Sequence, residues 1–411
     1  MHASRLRGLV FALLSWHATS ASAQTEPAPA PPPPPSATAR PAIPLPSLTA
    51  AELATFRDGL VAFQQAETPA SGLGPIFNDV SCIACHGAPA PGGGSRRTVT
   101  RFGHTRDGVF DSLESEGGSL LQARSLDRAA RERIPAEANV IARRLSTPLF
   151  GAGLIEAIPD ATLRASAASL NKPDGIRGRV SIVQDVASGT ERIGRFGWKA
   201  QVATLLTFSG DAYLNEMGIT NRLFPVENAP NGDAARLARS DTVLDPEDAP
   251  AAASPASPAR LADIDRVTAF MRLLAPPPPA RRPAPAAMIA NGRALFTSLA
   301  CAACHTPTLR TGPSSVSALA HQPVNLYSDL LLHDMGSLGD GIAQGGAGPR
   351  DMRTAPLWGL GSRNLFLHDG RAATLDVAIR AHDGEAARAR ERYAALPPAS
   401  RDALLSFLHS L

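Results

Sequence analysis

The sequence predicts a mainly α-helical fold with long loops in two domains, and three observations support this. Apolar residues recur at helical spacing in Phe56, Gly59, Leu60 and Phe63, in Ile289, Gly292, Leu295 and Phe296, and in Ala403, Leu404, Phe407 and Leu408, a period that places each set on one helix face. Strand-like alternation is rare. The run Pro276 to Pro279, followed by Arg281-Arg282-Pro283-Ala284-Pro285, punctuates the chain between the first stripe and the second, and such a run marks a linker.

The segments follow in order. Arg5 and Arg7 precede an apolar run from Leu9 to Leu14, and Ala21-Ser22-Ala23 offers a small-residue cleavage site, so residues 1–23 read as a secretory signal peptide. The run is too short to span a membrane, which takes about 20 apolar residues, and no later segment supplies one. A periplasmic protein with no membrane span is expected. Residues 24–48, rich in Pro and Ala, cannot build a core and read as a disordered tether. Residues 49–275 form the expected N-terminal domain, 276–286 the linker and 287–411 the C-terminal domain. A chain of 411 residues exceeds one typical domain, and a net charge of +3 with both signs interspersed gives no sign of nucleic-acid binding.

All four cysteines lie in two identical patterns, Cys82-Ile83-Ala84-Cys85-His86 and Cys301-Ala302-Ala303-Cys304-His305. Cys-x-x-Cys-His is the attachment pattern of a c-type haem: two thiols reach the vinyl groups on one edge of the macrocycle, and the adjacent histidine gives its imidazole to iron. A redox dithiol or a zinc ribbon also uses Cys-x-x-Cys, but neither requires histidine directly after it, twice. The expected cofactors are therefore two covalently bound c-type haems, with iron ligands His86 and His305, and the two domains are cytochrome c-type haem domains. In the N-terminal one, Ser71 to Pro75 interrupts the approach to Cys82 as an inserted loop. An oxidising compartment suits a chain with no leftover thiol.

Further stretches carry a resemblance. Gly72-Leu73-Gly74-Pro75-Ile76-Phe77-Asn78, Arg195-Phe196-Gly197-Trp198-Lys199-Ala200, Asn215-Glu216-Met217-Gly218-Ile219-Thr220, Asn325 to Leu330 running to His333-Asp334-Met335-Gly336, Arg353 to Gly359, and Phe366-Leu367-His368-Asp369-Gly370-Arg371 resemble the dihaem oxidoreductase family, peroxidase-type proteins often labelled thiol oxidoreductases. More distantly the chain is similar to bacterial dihaem cytochrome c peroxidases and to the dihaem enzymes that mature a tryptophan-derived cofactor.

The resemblance implies roles for particular residues. His382, a little beyond the His368-Asp369-Gly370 segment, is the implied distal ligand of the second haem, with Met335 as the competing ligand and a surface loop histidine as the plain alternative. His104 is the candidate distal ligand of the first haem, or else an exposed loop histidine. Trp198 is placed between the haems, or is ordinary core. Glu216, before Met217-Gly218, is the implied proton shuttle for peroxide cleavage, since a carboxylate can take a proton from one oxygen and give it to the other, or else a helix-surface glutamate. The glutamine that accompanies it in relatives has no counterpart, and Phe208 stands near its place. Arg371 can pair a haem propionate through its fork of donors. His333 is expected in a structural hydrogen bond. The relatives bind calcium through an asparagine and backbone oxygens; Thr354 and Pro356 remain here, but Arg144 to Pro148 lacks the asparagine, so calcium is carried over only in part.

The leading reading is a dihaem peroxidase-like oxidoreductase that takes electrons at the C-terminal haem from a small donor, a cytochrome c or a cupredoxin, and reduces peroxide or a related small oxidant at the N-terminal haem. Its rivals are a non-catalytic dihaem electron carrier and an oxygenase or protein-oxidising enzyme.

Overall fold

The structure is a computed structural model that describes residues 40–250, 261–279 and 284–411. The signal peptide, most of the tether and residues 280–283 of the linker lie outside the described residues. The helix Ala50–Gln64 starts at Thr49 in a capping box: the Glu52 amide donates to Thr49 Oγ1 at 3.2 Å and the Thr49 amide donates to Glu52 Oε2 at 2.7 Å, which satisfies two donors that helix starts leave bare. Its buried stripe, Phe56, Gly59, Ala62 and Phe63, faces the helix Asp263–Leu273. At Gly59 a Cβ would lie 2.2 Å from the Arg266 carbonyl oxygen, so only glycine lets the two backbones cross this closely. Phe270 fills the space alongside, with ring centroids 5.2 Å from Phe56 and 4.7 Å from Phe63.

The same construction recurs near the C-terminus. The helix Ala286–Ser298 crosses the helix Pro398–Ser410 at Gly292, where a Cβ would lie 2.1 Å from the Ala403 carbonyl oxygen, and Phe296 packs on Phe407 at 5.5 Å. Four residues beyond each glycine, Phe63 and Phe296 set their rings 6.5 Å from His86 and 6.4 Å from His305. Each Cys-x-x-Cys-His histidine is thus packed by the helix that precedes it. The apolar stripes serve as core and as the support of the motif at once.

The expectation of a mainly α fold is corrected. Of the described residues 37% are helical and 16% are in strands, in several small sheets, so the fold is mixed α/β. The largest sheet centres on the strand Thr98–Arg106, which pairs antiparallel with Val109–Asp111, Leu120–Leu121 and Val140–Leu145. The second forms between Ser181–Asp185 and Thr190–Gly194. In these strands polar residues turn inward and apolar ones outward: Arg144, Ser181 and Asp185 are buried, whereas Ile141 and Ile182 are exposed, so the period-two apolar signal is lost.

Buried cations tie these sheets to the loops. Arg195 is fully buried; its guanidinium donates to the carbonyls of Ile158 at 2.5 Å and Glu156 at 3.2 Å and pairs with Asp160. Lys199, also fully buried, lies 2.9 Å from Asp340, which Arg144 pairs from the other side at 2.7 Å, and it donates to the Asp351 carbonyl at 2.7 Å. No helix among the described residues is long and apolar enough to cross a membrane.

Gly292→Ala places a methyl group against the Ala403 carbonyl and forces the two helices apart. It is expected to cost about 1–3 kcal/mol, as overpacking does, read as a lower urea midpoint of the protein; an unchanged midpoint contradicts the close crossing.

Candidate haem sites

The second motif opens onto a cavity of about 440 Å³. Cys301, Cys304 and His305 line one side and His382 lines another. A left-handed residue, Ala300, turns the chain out of the helix Ala286–Ser298 into the turn that carries the cysteines. His305 directs Nδ1 to the Tyr327 carbonyl at 3.0 Å, and His382, just past the helix Leu375–Arg380, directs Nδ1 to the Ala378 carbonyl at 2.8 Å. With Nδ1 bound in this way, Nε2 is the nitrogen left to act as donor to a metal. The ring centroids are 6.5 Å apart. That separation suits one metal ion between two imidazole nitrogens at about 2 Å each. Burial, reinforced by the neighbouring His382, pushes His305 down to about 4, and burial also lowers His382. Both rings are neutral near pH 7, as metal donors must be.

The cavity wall carries charges that the chain does not neutralise. Arg353 and Arg363 both line it, and burial holds each down to about 10. Their bonds go to carbonyls: Arg353 Nε donates to Gly197 at 2.6 Å, and Arg363 Nη2 donates to Trp358 at 3.2 Å. Guanidiniums in a low-dielectric wall call for an anion, and the two propionates of a haem are of the right chemistry. The cavity's mainly apolar wall, two thiols, two neutral imidazoles and buried arginines together fit a haem. Sequence reasoning missed these two arginines. Arg353 stood within a quoted segment as part of a calcium question, and Arg363 in none. Arg371, chosen instead, is exposed and pairs with Asp369 at 2.5 Å. Met335 lines the same cavity.

His333 lies behind Cys304 in a closed network. Nε2 is 3.1 Å from Asp329, Nδ1 is 2.8 Å from Glu385, and Lys172 meets Asp329 at 2.9 Å. Burial opposes a charge on this ring, but Asp329, Cys304 and Glu385 outweigh it and lift its pKa to about 12. A ring so committed on both nitrogens is structural.

Trp198 sits on the cavity wall. Its Nε1 donates to the Leu145 carbonyl at 2.7 Å, its ring meets His368 edge-on at 6.3 Å, and the Leu145 amide donates to the His368 carbonyl at 2.7 Å. The same cavity reaches Ala88, Gly94 and Arg96 in the loop after the first motif. Trp198 therefore stands on a wall that both motif regions share.

The first motif forms one helical turn, Cys82–Cys85, with His86 at its end. His86 lies 3.3 Å through Nδ1 from the Gly93 carbonyl, and burial pushes it down to about 4. Burial raises both thiols to about 12; Glu216 adds to the effect at Cys85. Glu216, in the last turn of the helix Leu205–Met217, is thus a neighbour of the motif. Its carboxylate accepts from Asn78 Nδ2 at 2.8 Å, and its carbonyl accepts the amide of Asn78 at 2.8 Å. Burial raises its pKa; Arg101 and the Asn78 bond hold it back. The Arg101 Nε is buried without a hydrogen-bond partner. Two thiols one turn apart, a neutral histidine and an unsatisfied guanidinium fit a second haem. His104, three residues after Arg101 on the same strand, points to the opposite face by the pleat, and its Nδ1 lies 2.5 Å from the Glu137 carbonyl.

The calcium ligands suggested by Thr354 and Pro356 meet competition. The Thr354 carbonyl already accepts from Ser328 Oγ at 2.7 Å and from Arg353 Nη1 at 3.1 Å.

Among solved structures the chain is similar to the diheme peroxidase BthA of Burkholderia thailandensis (14% identity, TM-score 0.39, covering 87% of this chain and 86% of that one). It is also similar to a MauG-like protein associated with microbial copper homeostasis (17%, 0.31, covering 70% and 94%) and to a chain of Kuenenia stuttgartiensis hydrazine synthase (13%, 0.36, covering 97% and 100%). These likenesses are distant and carry no argument about function. No protein of curated function matches the chain. Residues 119–411 match the family described as "Di-haem oxidoreductase, putative peroxidase", a span that holds Trp198, Glu216, the second motif and His382 and begins after the first motif. Because that match covers well over half of the sequence, the chain belongs to this family of oxidoreductases with two haems.

Proposed function

We propose that the chain is a periplasmic dihaem c-type enzyme of the peroxidase type, fed by a small donor protein, a cytochrome c or a cupredoxin, at its C-terminal half and reducing peroxide at its N-terminal half. One contrast supports this reading: His305 faces a second imidazole, whereas the first motif has a half-buried carboxylate, Glu216, beside it. When bound, the haems supply one-electron chemistry at iron, and an iron with an open position takes a small oxidant. Cys82 and Cys85, and Cys301 and Cys304, would hold them by thioether links, with His86, His305 and His382 as nitrogen donors and Arg353 and Arg363 as partners for carboxylates. Export as residues 1–23 suggest would suit that attachment.

Glu216 is the proton-handling residue of the reading. Burial keeps its carboxyl ready to hold a proton above the usual carboxylate range, and Asn78 Nδ2 fixes the orientation of Oε2. It would accept the peroxide proton at a carboxylate oxygen and return it to the leaving oxygen. Arg101, whose Nε has no partner, supplies a positive charge beside it. Trp198, held by the Leu145 carbonyl, keeps a rigid aromatic ring between the two motif regions. His333 holds the polypeptide behind Cys304 in place.

His382→Ala is expected to convert one low-spin haem of the oxidised protein to high spin while leaving both haems attached, read by electron paramagnetic resonance. A spectrum identical to wild type removes His382 as a ligand, and a wild type with two low-spin haems that never take cyanide points to an electron carrier instead. Glu216→Gln is expected to lower kcat for peroxide by about 10²–10⁴-fold, the range of general acid–base groups. Because the ionised form is the base, the wild-type rate rises as pH increases through the raised pKa of Glu216, and that limb should vanish in the variant. A variant that keeps the wild-type rate and pH profile refutes the role.

A further inference from the structure

A second cluster of chemistry lies outside both haem sites, in the segment that follows the helix Leu205–Met217. It brings Glu227 against Asp245 and Glu247, with one carboxylate oxygen of each within 4.8 Å of the others. Glu227 is 6% exposed; its Oε1 accepts the Asn228 amide at 2.8 Å, while its Oε2 is buried with no hydrogen-bond partner. The strongest side-chain charges acting on Glu227 are negative: Glu247, Asp245 and Asp241.

Thr220 does not remove the imbalance. Its Oγ1 lies 2.8 Å from Asp245 Oδ1 and also contacts Glu247 Oε2, and its amide donates to Glu247 Oε2 at 2.7 Å. A hydroxyl has one proton to donate, so it cannot serve both carboxylates at once. Glu227 is buried, Glu247 half-buried and Asp245 exposed, and like charges held this close to a buried carboxylate without a counter-charge must either take up protons or gather a cation. An all-oxygen donor set excludes soft metals and suits calcium, which accepts several carboxylate oxygens in flexible geometry.

We propose that Glu227, Asp245 and Glu247 bind a calcium ion at a site separate from both haems and from Thr354 and Pro356. The place gives the ion a structural consequence. Glu247 packs on the loop that leads to the first motif, since a Cβ at Gly72 would meet Glu247 Cβ at 2.4 Å. Asp248, next in sequence, caps the helix Asp263–Leu273 by accepting the amides of Asp263 at 2.7 Å and Ile264 at 3.0 Å. Gly74, two residues beyond Gly72, donates its amide to the Met217 carbonyl at 3.1 Å. The ion would therefore clip three segments together beside the helix end that carries Glu216.

The test uses the full haem-loaded protein, freed of metal with a chelator and titrated with calcium chloride by calorimetry, with thermal unfolding followed in parallel. One calcium per chain and a higher unfolding temperature with calcium are expected, since a ligand of the native state stabilises it. Glu227→Gln, and separately Glu247→Gln, should weaken calcium binding by about tenfold or more and abolish the thermal shift, with the haem spectrum unchanged. Two results overturn the proposal: no binding heat and no thermal shift in the wild type, or a calcium response that persists in both variants. The wild-type titration decides even if a variant fails to fold.

Discussion

Three half-buried imidazoles, each with Nδ1 directed to a backbone carbonyl, set the terms for the rest of the structure. His86 uses Gly93, His305 uses Tyr327 and His382 uses Ala378. A ring fixed in this way cannot turn, and burial keeps it neutral, so a single nitrogen is left with electron density to give. Such a ring needs a rigid wall behind it. Phe63 and Phe296 supply that wall, and they reach it only because Gly59 and Gly292 let two pairs of helices touch at the backbone. The close crossings and the orientation of the rings are one design, made twice.

Charged groups add a second constraint. Some buried charges are paired within the chain: Asp329 and Glu385 flank His333, and Asp340 lies between Lys199 and Arg144. Breaking such a set leaves an uncompensated buried charge, which is strongly destabilising. Other cations are met differently. Arg353 and Arg363 on the cavity wall bond to carbonyl dipoles, and beside the first motif Arg101 keeps an unused donor. Such donors are open to an anionic group.

Much of this was legible in the sequence, and what was not has physical reasons. The Cys-x-x-Cys-His turns were readable because the same residue types recur twice at the same spacing. The helices before them were readable because one apolar face survives in each. The sheets were hidden because Arg144 and Asp185 turn inward while Ile141 and Ile182 turn outward, which erases the apolar alternation. Arg371 drew attention because it follows a recognisable His-Asp-Gly segment, yet its neighbour Asp369 already satisfies it. Arg353 and Arg363 gave no such signal, since a lone arginine in a loop is ordinarily solvated and only the fold puts these on a dry wall. For His104 the sequence offered proximity to the motif, but a strand reverses the side chain every residue, and three steps from Arg101 is the far face.

The helix Leu205–Met217 shows how the two kinds of constraint meet. Its start is fixed by Thr204, whose hydroxyl caps Thr207 and also donates to the buried Asp185 at 2.6 Å. Its end is fixed by Gly218 in the left-handed region, where a Cβ would lie 2.5 Å from the Ile76 carbonyl oxygen. Between these anchors Glu216 has no freedom to leave the first motif: Asn78 holds both its carbonyl and its carboxylate, so backbone and side chain are positioned by one residue. Asn78 belongs to the strand-and-loop segment that runs directly into Cys82. The carboxylate and the thiols are therefore positioned by the same short stretch of chain, and a shift of that stretch moves both together.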